Sequence, residues 1–132
     1  MVQLGKTEAG RFCWIDLAAS NADSAKSFYA KLFGWTSEEQ AANGGTFTRL
    51  RHADRDVASL YQLRHRHIEQ GLPSHWTPYI RVDDVDETAR CALACGGRMI
   101  VRPFVVSGMA RIALILDSVG AQVGLWEPIP HG

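Results

Sequence analysis

One arrangement recurs in this chain and constrains its fold more than any bulk property: a strand, a helix closed by glycine and three further strands, repeated about sixty residues later. In the first copy, residues 12–17 alternate as a strand does, with Cys13, Ile15 and Leu17 on one face and Phe12, Trp14 and Asp16 on the other. Ser20 and Asp23 have capping-box spacing, and Ala22, Ala25, Phe28, Tyr29, Leu32 and Phe33 then recur at helical intervals until Gly34. Strands are expected over 35–38, over 46–51 after the turn Asn43-Gly44-Gly45, and over 57–63. Residues 64–74 are polar, contain Gly71 and Pro73, and read as a linker.

The succession then begins again. Residues 76–82 suit a strand, with Ile80 and Val82 facing one way and Thr77, Tyr79 and Arg81 the other. Asp84 and Glu87 can cap a helix whose apolar stripe is Val85, Ala89, Ala92 and Cys95, closed by Gly96-Gly97. Strands over 98–102, 109–116 and 122–127 complete the copy. The expected fold class is therefore α+β, one domain over 1–132 built of two βαβββ modules at about 10–63 and 75–128.

Composition narrows the partners. Lys+Arg and Asp+Glu both number 14, so the net charge is zero and no global field draws in nucleic acid or an anionic membrane. Residues 1–10 lack an apolar core segment, and no stretch approaches the roughly 18 apolar residues of a membrane span, so a cytoplasmic protein is expected. The three cysteines, Cys13, Cys91 and Cys95, argue against a disulfide framework. Cys91 and Cys95, four residues apart on the second helix, read as small buried hydrophobes. His65 and His67 fall in the polar linker and read as solvated.

Each sheet must bury its apolar face beneath its own helix, so residues of opposite parity point to the other face. Those are Trp14, Asp16, Phe47, Arg49, Ser59, Tyr61, Thr77, Tyr79, Arg81, Arg111, Gln122, Gly124 and Trp126. Aromatic rings mixed with an acid and arginines suit a pocket for a planar or apolar-bodied ligand with a polar head. Asp16 reads first as a structural acid paired with Arg49, Arg81 or Arg111, and near Tyr61 and Tyr79 it is also a candidate general base.

Three blocks resemble the vicinal-oxygen-chelate superfamily, the glyoxalase, bleomycin-resistance and extradiol-dioxygenase group. They are Trp14-Ile15-Asp16-Leu17 with Ser27-Phe28-Tyr29-Ala30-Lys31-Leu32-Phe33-Gly34-Trp35, then Tyr79-Ile80-Arg81-Val82-Asp83-Asp84-Val85 leading to Gly96-Gly97, and last Leu116-Asp117-Ser118-Val119-Gly120-Ala121-Gln122-Val123-Gly124-Leu125-Trp126-Glu127-Pro128. The resemblance implies that the two modules form a cupped eight-stranded mixed sheet with helices on the outer face, often in a homodimer, with a small molecule inside the cup. It also implies metal ligands on the first and last strand of each module. Those positions fall on Trp14, Ser59 or Tyr61, Thr77 and Gly124, which is no credible ligand set, so a divergent branch without metal or other cofactor is expected.

The function expected from the sequence is metal-independent binding of a small organic molecule. Trp14, Tyr61, Tyr79 and Trp126 would supply stacking area, and Arg49, Arg81 or Arg111 would orient an anionic or carbonyl group, with Phe47, Ser59 and Thr77 completing the lining. The alternative is a lyase, isomerase or dioxygenase of the same superfamily, either metal-free with Asp16 as base or using a metal through an unrecognised ligand set.

Overall fold

The computed structural model describes residues 8–42, 45–106 and 108–129. Asn43 and Gly44 of the expected turn, and residues 1–7, lie outside the described residues. The elements are β1 (Phe12–Ala19), α1 (Ala22–Phe33), β2 (Thr36–Ala42), β3 (Gly45–His52), β4 (Arg55–Gln62), α2 (His65–Glu69), β5 (His75–Arg81), α3 (Val85–Ala94), β6 (Arg98–Val106), β7 (Ala110–Leu116) and β8 (Gln122–Pro128). Among the described residues, eight strands in mixed parallel and antiparallel pairing with three helices make the fold α+β. No helix among the described residues is long and apolar enough to cross a membrane.

The chain divides into two compact units, one spanning residues 15–77 and the other combining the N-terminal stretch to Trp14 with the chain from Pro78 onward. In the 15–77 unit the strand order is β2-β3-β4-β1, antiparallel except for the parallel β1–β4 pair. A parallel neighbour needs a crossover, and α1 with β2 and β3 provides it. The core here is Leu17, Ala19, Leu50, Ala58 and Leu60, covered by Ala22, Ala25 and Tyr29 of α1. Tyr29 stacks on Trp35 at 5.1 Å between ring centroids and meets Trp76 edge-on at 5.7 Å, so these three rings gather on the helix side.

The other unit repeats the plan with β5-β8-β7-β6 and one parallel pair, β5–β8. Its helix α3 packs on β6, β7 and β8, with Val85 and Ala89 buried over Val82, Ala113, Ile115 and Leu125. A second apolar cluster, Tyr79, Ala110, Ile112 and Trp126 with Cys13 and Trp14 against it, lies on the opposite side of these strands. The N-terminal stretch is tied in by the Gly10 N–H to the Arg81 carbonyl and the Arg81 N–H to the Arg11 carbonyl, both 2.8 Å.

Several local expectations are corrected. The N-cap of α1 is Asn21, whose side chain accepts from the Ser24 N–H at 3.0 Å, rather than Ser20. Ser20 is held instead by its N–H to Ser74 Oγ at 2.9 Å, one residue outside the helix. At the other end Gly34 takes φ +74°, where a side chain would be strained, and its N–H reaches the Ala30 carbonyl. Strand β2 runs on to Ala42 because Glu38, Glu39 and Gln40 form an edge, which needs no apolar alternation. Strand β6 likewise extends past Pro103 to Val106, with two register shifts. The expected linker contains the short helix α2, in which His65 Nε2 meets Glu69 Oε1 at 2.8 Å. Cys91 and Cys95 are both exposed, not buried. Helical rotation carries Cys91 well away from the Val85–Ala89 stripe, and Cys95 stands beyond the last full turn as the C-cap.

Candidate functional site

The parallel register of β1 and β4 sets Asp16 beside Ser59 and Ala18 beside Tyr61. Side chains alternate along a strand, and Leu17, Ala19, Ala58 and Leu60 face α1, so Asp16, Ser59 and Tyr61 share the face turned away from it. Asp16 is 8% exposed, and Ser59 Oγ donates to its Oδ1 at 2.6 Å. Burial pushes the Asp16 carboxyl up to about 6; the Ser59 hydrogen bond and the nearby His75 work in the opposite sense, stabilising the anion. Tyr61 is pushed up to about 12, first by burial and second by the charge of Asp16. This face therefore presents a carboxyl poised near neutrality next to a phenol that stays protonated.

His75 belongs to this unit and was not singled out from sequence as a neighbour of Asp16. Its Nδ1 lies 2.9 Å from the Pro73 carbonyl, an acceptor only, so Nδ1 carries a proton there. In the sequence it stands one residue ahead of the strand expected over 76–82, and β5 begins at it. A cleft of about 390 Å³ in this unit is lined by His75 with Ser20, Ser24, Phe28 and Trp76, on the α1 side, and Asp16 does not line it.

Arg49 is the cross-strand neighbour of Ser59, so it stands in the same row as Asp16. Its guanidinium is committed elsewhere: Nε and Nη2 reach the two oxygens of Asp56 at 3.2 and 2.7 Å, and Arg51 Nη1 shares that carboxylate at 3.1 Å. Phe47 and Tyr61 are half-buried, and Thr77 is buried in the same unit.

The remaining expected site residues belong to the other unit. Trp14 and Trp126 lie 5.6 Å apart between ring centroids, and Tyr79 meets Trp126 edge-on at 5.8 Å. Tyr79 and Trp126 are 4% and 3% exposed, so their ring faces are taken up by each other and by Ala110 and Ile112. Gly124 is paired with Tyr79, whose ring lies over it so closely that a Cβ at position 124 would collide with it. Arg81 shares this face through its pairing with Trp126; its Nη1 is 3.4 Å from Asp83, while Arg81 Nε and the indole Nε1 of Trp126 are buried without a hydrogen-bond partner among the described residues. Arg111 does not share this face. In the antiparallel β7–β8 pair, Ile112 faces Trp126 and Leu114 faces Gly124, so Arg111 turns toward α3 and forms a bidentate pair with Asp86, at 2.7 and 3.3 Å.

The family model for the Glyoxalase/Bleomycin resistance protein/Dioxygenase superfamily matches residues 11–123. The chain belongs to this superfamily. Among curated proteins, this superfamily member is 32% identical over 120 residues to "Putative glyoxylase CFP32" of Mycobacterium tuberculosis, covering 89% of this chain and 46% of that protein. It is 30% identical over 129 residues to the anthracycline biosynthesis protein DnrV of Streptomyces peucetius, covering 89% of this chain and 47% of the relative. The chain thus spans about half the length of the curated relatives it matches. Among solved structures, methylmalonyl-CoA epimerase from Mycobacterium tuberculosis matches with a TM-score of 0.65 at 19% identity, covering 98% of this chain and 94% of that one. The hypothetical protein BH1468 from Bacillus halodurans matches at 0.64 and 15%, covering 89% and 94%. At such identities these structures bear on the fold alone.

Proposed function

We propose that this superfamily member binds a small organic molecule without a metal ion, on the strand face that carries Asp16, Ser59 and Tyr61. The observation that carries the reading is Asp16 itself, a carboxyl 8% exposed whose hydrogen bond comes from a neutral hydroxyl while Arg49, its nearest cation by register, is spent on Asp56. A buried acid left in this state costs stability, and sites that bind or react are where such costs are kept. The metal-free part rests on donor chemistry. At the positions the family uses for ligands, Trp14 has no lone pair to offer and is engaged with Trp126, and the place of a fourth side chain at Gly124 is filled by the Tyr79 ring. These residues do not fit a divalent ion.

The test has two parts. Plasma mass spectrometry on protein purified without tag or chelator, then incubated with nickel, zinc, manganese and ferrous iron, is expected to find no metal held on this strand face. Titration calorimetry with an anthracycline, the compound class in the name of one relative, is expected to show heat that Ser59→Ala and Tyr61→Phe reduce. Stoichiometric metal lost on mutating Ser59 or Tyr61 would overturn the reading. The homodimer implied by the family resemblance is part of this proposal and is checked by sedimentation equilibrium.

A second reading, proton transfer, is favoured by the same carboxyl being raised to about 6 beside a phenol at about 12. Ionised Asp16 would take a proton from carbon next to a carbonyl, and Tyr61 would donate a hydrogen bond to the developing enolate oxygen. Asp16→Asn separates the two: it leaves affinity within a few fold if the protein only binds, and abolishes turnover if it catalyses.

A further inference from the structure

The two cysteines of α3 are exposed, although cysteine is among the residues most often buried. Val85 and Ala89 supply the buried contact of this helix, so neither thiol is held there by packing. Glu87, Cys91 and Cys95 follow one another at four-residue steps, a single stripe along the solvent side. Cys91 Sγ lies 3.9 Å from Glu87 Oε1, and the other carboxylate oxygen accepts from Arg90 Nη2 at 2.7 Å.

Residues four apart on a helix hold their Cβ atoms about 5–6 Å apart. A disulfide needs about 3.5–4.5 Å between Cβ atoms, less than the helix presents. An ion bound by two sulfurs at about 2.3 Å in tetrahedral geometry needs them about 3.8 Å apart, which rotation of the two side chains toward each other can reach from that spacing. We infer that Cys91 and Cys95 form a two-thiolate clip for a soft divalent cation of the zinc group on the exposed side of α3. Among the described residues no three His, Cys, Asp or Glu side chains converge on a ready-made site, so water completes the coordination and the ion exchanges readily. Binding forms two sulfur–metal bonds, breaks two S–H bonds and releases two protons, with no electron transferred. Thiolate donors select this class of ion over magnesium or calcium.

The test is titration of the full reduced chain with cadmium ion, followed by thiolate-to-cadmium charge-transfer absorption and by proton release, with zinc as competitor. The expected result is one cadmium per chain and two protons per ion. Cys91→Ser and Cys95→Ser are each expected to weaken binding about a hundredfold, because the second sulfur no longer acts at high effective concentration. Both sites are exposed, and unchanged circular dichroism confirms that the variants fold. Cys13→Ser is expected to bind as the unaltered chain does, since Cys13 packs against the Tyr79–Trp126 cluster. Wild-type affinity in either single variant, loss in Cys13→Ser, or saturation at one ion per two chains would overturn the clip.

Discussion

In the 15–77 unit the strand face turned from the helix holds a buried carboxyl, and the rings of Tyr29, Trp35 and Trp76 sit on the helix side. In the other unit the rings of Trp14, Tyr79 and Trp126 occupy the face away from α3, and among the described residues no buried acid stands with them. The same order of elements thus carries its cluster of touching rings on opposite sides, with Tyr61 alone of the named rings standing beside Asp16. The difference teaches that the repeated pattern specifies a packing plan, whereas the chemistry of each open face is set by a few residues of one strand parity.

The largest effect that tests this comparison is Trp126→Ala. If the rings form a packed core, the loss of stability is about 3–5 kcal/mol, read from denaturant unfolding. A loss below about 1 kcal/mol would mean that the indole stands open to a ligand rather than filling its own unit.

Asp16→Asn probes the opposite face and has the opposite sign. The folded carboxyl titrates near 6, above its ordinary 3.8, so the folded state binds a proton more tightly than the unfolded one. Stability is then greatest below the unfolded value and falls as pH rises from about 4 through 6, remaining lower above it. At about 1.4 kcal/mol per tenfold change in acidity, the penalty at pH 7 is on the order of 3 kcal/mol. The amide keeps an acceptor for Ser59 and removes the charge. The variant is therefore expected to be more stable than the unaltered chain at pH 7, and to lose the fall between pH 4 and 7. Equal stability at pH 7 would place a compensating cation on Asp16.

Gly124→Ala asks whether the ring of Tyr79 is fixed over β8. The added methyl meets that ring, and overpacking of this kind costs about 1–3 kcal/mol. Combining it with Tyr79→Leu should recover part of the loss, a coupling read by a double-mutant cycle. Additive effects would show that the ring moves aside at little cost.

Much of this was legible in the sequence, for local reasons. Gly34 and Gly96 end the two helices with positive φ, and the alternation in β1 and β5 told which side chains leave the helix face. Arg111 was misread because residues 112–116 are apolar without a break, and a strand buried on both faces carries no period of two. The pairing of Ile112 with Trp126, a contact between strands, settled its direction instead. The exposure of Cys95 turned on where α3 stops, and the place of His75 near Asp16 turned on the arrangement of strands far apart in the chain. Neither is written in local spacing.

The smallest expected effect concerns the helices that cover the two units. Val85 of α3 is fully buried, but α1 has no buried residue and leaves Phe28, Leu32 and Phe33 more than half exposed. Phe28→Ala removes a ring that meets Tyr29 edge-on but stays largely in water, so its cost should stay within about 0.5 kcal/mol by thermal or denaturant unfolding. A loss comparable to that of a core residue, and dependent on protein concentration, would mean that the face is covered in solution by another surface. The contrast between a tightly seated α3 and a loosely seated α1 would then belong to the isolated chain rather than to its working assembly.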